Sequence, residues 1–159
     1  MKSLVNDADS VTFCLSKGLS APVGSVMVGN QAFIERARKV RKMLGGGMRQ
    51  AGVLAAAGIV ALEKMVDRLA DDHVHARYLA EQLNKIAGMK INLSTVQTNM
   101  IYCNVGQLKI PVNEFVKAIK GKGVLVLPVP PDKIRLVTHR HISQEDIARA
   151  IEIIKGVLK

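Results

Sequence analysis

The stretch AGVLAAAGIVAL, Ala51 to Leu62, most narrows what this chain can become. It reads as a helix that is apolar on every side. A membrane span needs about 20 such residues, and this run is too short. An all-apolar helix of this length belongs inside a larger protein, where other layers cover it. The segments before it offer little cover. SVTFCLS and GSVMVG read as two short buried strands, and Asn30 is placed to cap a helix running to about Met43. Two strands and one helix cannot enclose the apolar helix, so the first half of the chain is expected to belong to a larger sheet.

The apolar helix is predicted to begin near Met48, after the break at Gly45 to Gly47, and it closes the first half. The second half has a different pattern and opens with a helix from about Val66 to Ile86. This helix carries Leu69, His73, Ala76, Leu79, Ala80 and Leu83 on one face, with Gly88 ending it. MKINLS and TNMIYCNV read as strands, PVNEFVKAIKGKG as a short helix, and VLVLP and KIRLVTH as strands. Ser143 and Asp146 form a capping pattern for the last helix. The order α-β-β-α-β-β-α predicts an antiparallel sheet with helices on one face. The fold class is α/β, with one domain over residues 1–66, a second, α+β, over 67–159, and the boundary near Lys64 to Asp67.

The chain is 48% hydrophobic, which argues against disorder, and only 3% aromatic, so its core is built from Ala, Val, Ile, Leu and Met. Its net charge of +10 invites a nucleic-acid reading. Much of that excess, however, sits in ERARKVRKM, Glu35 to Met43, opposite an apolar stripe of Phe33, Ile34, Ala37 and Val40. That is the pattern of a solvated helix face, and no aromatic platform or zinc spacing supports a nucleic-acid site. Cys14 and Cys103 are far apart, which fits neither a disulfide scaffold nor a metal knuckle and suits a reducing, cytoplasmic compartment. MKSLVNDADS has no apolar core of a signal peptide. His73 and His75 point apart on a helix, and His139 with His141 lacks further ligands, so no metal is expected.

Three places carry chemistry. Lys17 lies in a Ser-Lys-Gly turn between the two apolar strands. By default it is a surface lysine, but Gly18 permits a close backbone approach that would let the amine reach inward. A desolvated amine is a nucleophile for carbonyls. MLGGGMRQAG places three glycines before a helix opening at Arg49. This is either a flexible link or an anion site made by backbone N–H groups and a guanidinium. In KIRLVTH, Arg135 stands in an apolar strand, a costly position unless it meets a carboxylate or phosphate or lies on an edge strand in water.

Taken together, SVTFCLSKGLSAPVGSVMVG, RARKVRKMLGGGMRQAGVLAAAG, DRLADDHVHARYLAEQL, TNMIY and IRLVTHRHIS resemble the C-terminal half of low-specificity L-threonine aldolases. Those are pyridoxal-phosphate enzymes of the aspartate-aminotransferase fold type. The resemblance covers nearly the whole chain. It implies that residues 1–66 are the end of a large cofactor-binding domain and 67–159 a small domain. It implies pyridoxal 5'-phosphate as cofactor, with Lys17 as its Schiff-base lysine. Arg135 would bind the substrate carboxylate. Arg49 would lie near the cofactor and a dimer interface, and Ser16 near the phosphate by adjacency to Lys17. The implied reaction cleaves L-threonine or L-allo-threonine to glycine and acetaldehyde in a homo-oligomer, a dimer or tetramer.

Family members are about twice as long. The phosphate-binding loop, the acid that pairs with the pyridine nitrogen and the histidine that stacks on the ring have no counterparts in these residues. The chain is therefore expected to begin mid-domain and to be inactive alone. The competing reading is a non-catalytic fragment or interaction module that needs an N-terminal half from another chain. A nucleic-acid binder or membrane protein is not expected.

Overall fold

The computed structural model describes residues 4–159, which form two units divided between Leu69 and Ala70. In the first unit, β1 (Ser10–Cys14) pairs antiparallel with β2 (Ser25–Gly29), Thr12 opposite Met27. Helix α1 (Gln31–Met43) follows directly. Its cap is the expected Asn30, whose Oδ1 accepts from the Phe33 backbone N–H at 2.9 Å. Helix α2 (Gly52–Lys64) begins later than expected from the sequence. Gly45 and Gln50 adopt left-handed conformations, with φ +82° and +50°, and Ala51 provides no side-chain cap, so the segment from Met48 turns instead of continuing a helix.

The core of this unit is small: Leu15, Leu19, Ala21 and Ala61, with Phe13, Val26, Met65 and Leu69 packed around them. Gly58 is what lets α2 settle on it, because a Cβ there would stand 3.0 Å from Leu15 Cδ1. The two strands, expected to be buried, are largely exposed: Met27 and Val28 each keep nearly half their surface. Two strands offer only one face to their own unit, and α1 buries none of its residues completely. Helix α2 leaves Val53, Ile59, Val60 and Leu62 exposed, as the all-apolar run requires of a unit with so few layers.

The second unit encloses its core. Helix α3 (Leu69–Leu83) leads to β3 (Met100–Asn104), α4 (Val112–Gly121), β4 (Leu127–Val129), β5 (Lys133–Val137) and α5 (Gln144–Leu158). The sheet is antiparallel throughout, in the order β3-β5-β4. Ile101, Cys103, Ile134 and Leu136 turn one face inward, against Leu79 and Leu83 of α3, Phe115 and Ile119 of α4, and Ile147, Ile151 and Ile154 of α5. Ser143 and Asp146 complete the expected capping box, with bonds of 3.2 and 3.0 Å.

Several local expectations are corrected. MKINLS is not a strand: it makes one bridge, Lys90 to Asn104, and then a 3-10 turn over Leu93–Thr95. Asn92 causes the change, since its side chain accepts from the Ser94 N–H at 3.1 Å and competes with extension. Of VLVLP only Leu127 and Pro128 enter β4, an edge position that tolerates a proline without a ladder donor. His73 is exposed, and its neighbour Asp72 is buried in its place. Thr138, buried at the end of β5, ties strand to helix by donating from Oγ1 to the Asp72 carbonyl at 2.7 Å.

Candidate active site

Lys17 lies in the ten-residue connection from β1 to β2. The connection is anchored at both ends: the Leu15 N–H donates to the Gly24 carbonyl at 2.9 Å, and the Ala21 N–H to the Leu15 carbonyl at 3.0 Å. The Lys17 carbonyl then accepts from the Ser20 N–H at 2.9 Å, closing a four-residue turn in which Ser20 has φ +60°. Leu15 and Leu19 are buried on either side, so the turn is pinned while Ser16 and Lys17 face outward. At Gly18 a Cβ would stand 2.8 Å from Leu69 Cδ2, so the backbone approaches too closely for a side chain. The sequence reading of an amine reaching inward is corrected here: Lys17 is exposed.

Arg49 is also exposed, in the turn before α2, and does not open that helix as the sequence suggested. Ser16, Lys17 and Arg49 thus share the first unit. The three glycines before Arg49 let the chain fold back on α1, with the Gly46 N–H donating to the Arg41 carbonyl at 2.8 Å.

Arg135 belongs to the second unit and is not on an edge. It sits in the middle of β5, the central strand, on the face opposite the core. Its Nε is shielded from solvent and has no hydrogen-bond partner among the described residues. An N–H of a charged group left in that state is costly, and an incoming acceptor would relieve it. Directly across from Arg135 stand Tyr102 on β3 and Leu127 on β4. The sequence singles out neither, because which residues oppose each other depends on pairing between strands far apart in the chain.

Two of the open grooves among the described residues carry arginines. One, about 430 Å³, lies beside the end of β5 and α5 and includes His141, Asp146 and Arg149. The other, about 460 Å³, lies between β2 and α1 and includes Arg38 and Arg41. Neither contains Ser16, Lys17, Arg49 or Arg135. Among the described residues no cluster of three or more His, Cys, Asp or Glu side chains could hold a metal ion, and no helix is long and apolar enough to cross a membrane.

The same arrangement of elements recurs in a solved structure described as a putative aromatic amino acid beta-eliminating lyase/threonine aldolase from Exiguobacterium. The TM-score is 0.76 at 17% identity, over 93% of this chain and 44% of that one. The fold is therefore the mixed α/β fold of the pyridoxal-phosphate-dependent transferases. Residues 1–105 match the family model for beta-eliminating lyases, and the chain belongs to that family. Among its relatives, a probable low-specificity L-threonine aldolase of Arabidopsis thaliana is 50% identical over 148 residues, 92% of this chain and 42% of the relative. The low specificity L-threonine aldolase of Escherichia coli K12 is 45% identical over 149 residues, 93% of this chain and 42% of the relative. The chain thus spans about two fifths of the length of these relatives.

Proposed function

We propose that this chain is the C-terminal portion of a pyridoxal-phosphate-dependent threonine aldolase that cleaves L-threonine and L-allo-threonine to glycine and acetaldehyde. The observation that carries the reading is the Lys17 turn: a primary amine held outward on a segment pinned by two buried leucines, with Gly18 forced by the contact to Leu69. A group that must hold one end of a cofactor needs a fixed backbone and an accessible nitrogen, and this turn offers both. Residues 1–66 are read as the end of the cofactor-binding domain and 67–159 as the small domain.

The donors present suit the cofactor. Its aldehyde requires an amine, which Lys17 would supply, and its phosphate requires cationic and hydroxyl donors, for which Arg49 and Ser16 are the candidates. When bound, the cofactor's ring supplies the electron sink for breaking the Cα–Cβ bond. The protein's own residues orient and neutralise. Lys17 Nζ would hold the cofactor, Arg135 would take the substrate carboxylate, and the shielding of Nε would make that pairing stronger than it is in open water. In the retro-aldol step a base takes the proton of the β-hydroxyl as the aldehyde forms.

The working form is read as a cytoplasmic homo-oligomer completed by the further segments that its relatives carry, and the chain alone as having little or no turnover. The alternative, a non-catalytic module that associates with another chain, draws on the exposed apolar side of α2. One experiment tests the assignment. The chain is complemented with the remaining segment of a family member, given pyridoxal phosphate, reduced with borohydride and mapped by peptide mass. The label is expected on the peptide containing Lys17 and absent after Lys17→Ala. Label on Lys39 or Lys42 instead, or no absorbance change on adding the cofactor, overturns the reading.

A further inference from the structure

We infer that Tyr102 is a positioning residue for Arg135: its ring walls one side of the guanidinium, keeps water from Nε and so holds that donor ready for a carboxylate. The inference rests on the reading of Arg135 as the carboxylate-binding residue, and deepens it.

The open face of the three-stranded sheet carries a row of three side chains, one from each strand: Tyr102, Arg135 and Leu127. Directly opposed residues on one face of an antiparallel pair have Cβ atoms about 4.5–5.5 Å apart, so the flanking side chains lie alongside the arginine stem. Arg135 Nε has no exposure to solvent although the face as a whole is open: Tyr102 and Leu127 keep 48% and 49% of their own surfaces. An open sheet face does not by itself shelter a polar atom. Its immediate cross-strand neighbours are positioned to do so.

The two walls are not equal. The β3–β5 ladder has five residue pairs, and Tyr102 with Arg135 is the middle one. The β4–β5 ladder has three, and Leu127 with Arg135 is at its end, next to the connection from α4. A residue at the centre of a longer ladder is held more firmly than one where pairing begins. The aromatic ring also covers more area than leucine, with few rotatable bonds to immobilise. Tyr102 is therefore the wall that fixes the guanidinium. Its contribution is the ring, not the hydroxyl: no hydrogen bond is needed for the ring to exclude water, and exclusion is what strengthens a charge-assisted pair.

The test reads the Arg135 Nε–H directly, by nitrogen-resolved NMR of the uniformly labelled chain, so it does not depend on turnover. In the unsubstituted chain that proton should exchange with water at least about tenfold more slowly than those of exposed arginines. Tyr102→Phe should keep this protection. Tyr102→Ala and Tyr102→Val should lose it, while the backbone amides of Ile134 and Leu136 stay protected and show that β5 is intact; the β-branched valine serves if alanine loosens the strand. L-Threonine is then titrated, and its carboxylate should shift the Arg135 signal in the unsubstituted and Phe chains at lower concentration than in the other two. Protection in Tyr102→Val equal to that of the unsubstituted chain overturns the inference, as does loss of protection in Tyr102→Phe. Tyr102-dependent protection with no response to L-threonine in any chain has a different meaning: the wall exists, but Arg135 does not bind the carboxylate.

Discussion

Replacing Cys103 with valine should flatten the fall in stability of the second unit above pH 9, by an amount that can be worked out. Cys103 is fully buried on β3, and burial pushes its thiol from 9.0 up to about 12. The sign follows from linkage. A thiol whose folded value is raised stays neutral in the folded chain while the unfolded chain begins to ionise, so its stability contribution is complete below about 9 and is lost as pH rises toward about 12. Ionisation stabilises the unfolded chain by only about 0.1 kcal/mol at pH 8, and by about 1.4 kcal/mol at pH 10, one unit above the unfolded value. The unsubstituted chain should therefore lose about 1.3 kcal/mol more than Cys103→Val between those pH values. Every other group is common to both chains and cancels in the comparison. Valine is similar in size and suits a strand, so the variant should fold. The assay is urea unfolding at pH 8 and pH 10 of both chains, each with Cys14→Ser to prevent disulfide exchange. Equal losses in the two would refute the reasoning, because they would mean that the folded thiol ionises as easily as the unfolded one.

Two further outcomes can be measured. Ser143→Ala should cost about 1 kcal/mol in urea unfolding, because it removes the oxygen that accepts from the Asp146 N–H and breaks the capping box at the start of α5. Val53→Glu with Val60→Glu should reduce concentration-dependent self-association in sedimentation velocity, since both side chains are exposed on α2; a parent chain that is already monomeric at high concentration would contradict this.

How far the sequence could be read depended on how local each determinant was. The Asn30 cap and the Ser143 box were legible because side chain and backbone partner lie within a few residues of each other, whereas α3 stops at Leu83, short of the expected Ile86. The α2 start was misplaced because the left-handed turn at Gln50 has no strong residue signal. MKINLS looked like a strand because its alternation outweighed one asparagine that caps a turn instead. His73 was assigned to the buried face by a slip of one position along α3, at the helix start where periodicity is least constrained. For the candidate site, Lys17 could be located between two strands, and the Gly18 approach was legible from the residue type. The exposure of Lys17 was not, because it depends on what packs against the connection. Arg135 was picked out as an arginine among apolar residues, but its central position and its neighbours Tyr102 and Leu127 follow from pairing across the chain.

The alternation on β5 has a consequence for how errors would show themselves. Ile134 and Leu136 face the core and Arg135 the opposite side. A slip of one residue would drive the guanidinium into the apolar interior and expose both isoleucine and leucine, so the misaligned sheet would be rejected on both faces at once. The arginine therefore takes its place in the same event that closes the core. Weakening the second unit should not yield molecules with a complete core and a displaced arginine. It should yield fewer folded molecules, each with the arginine in place, and a titration of ligand sites should then count intact copies and not report a graded loss of affinity.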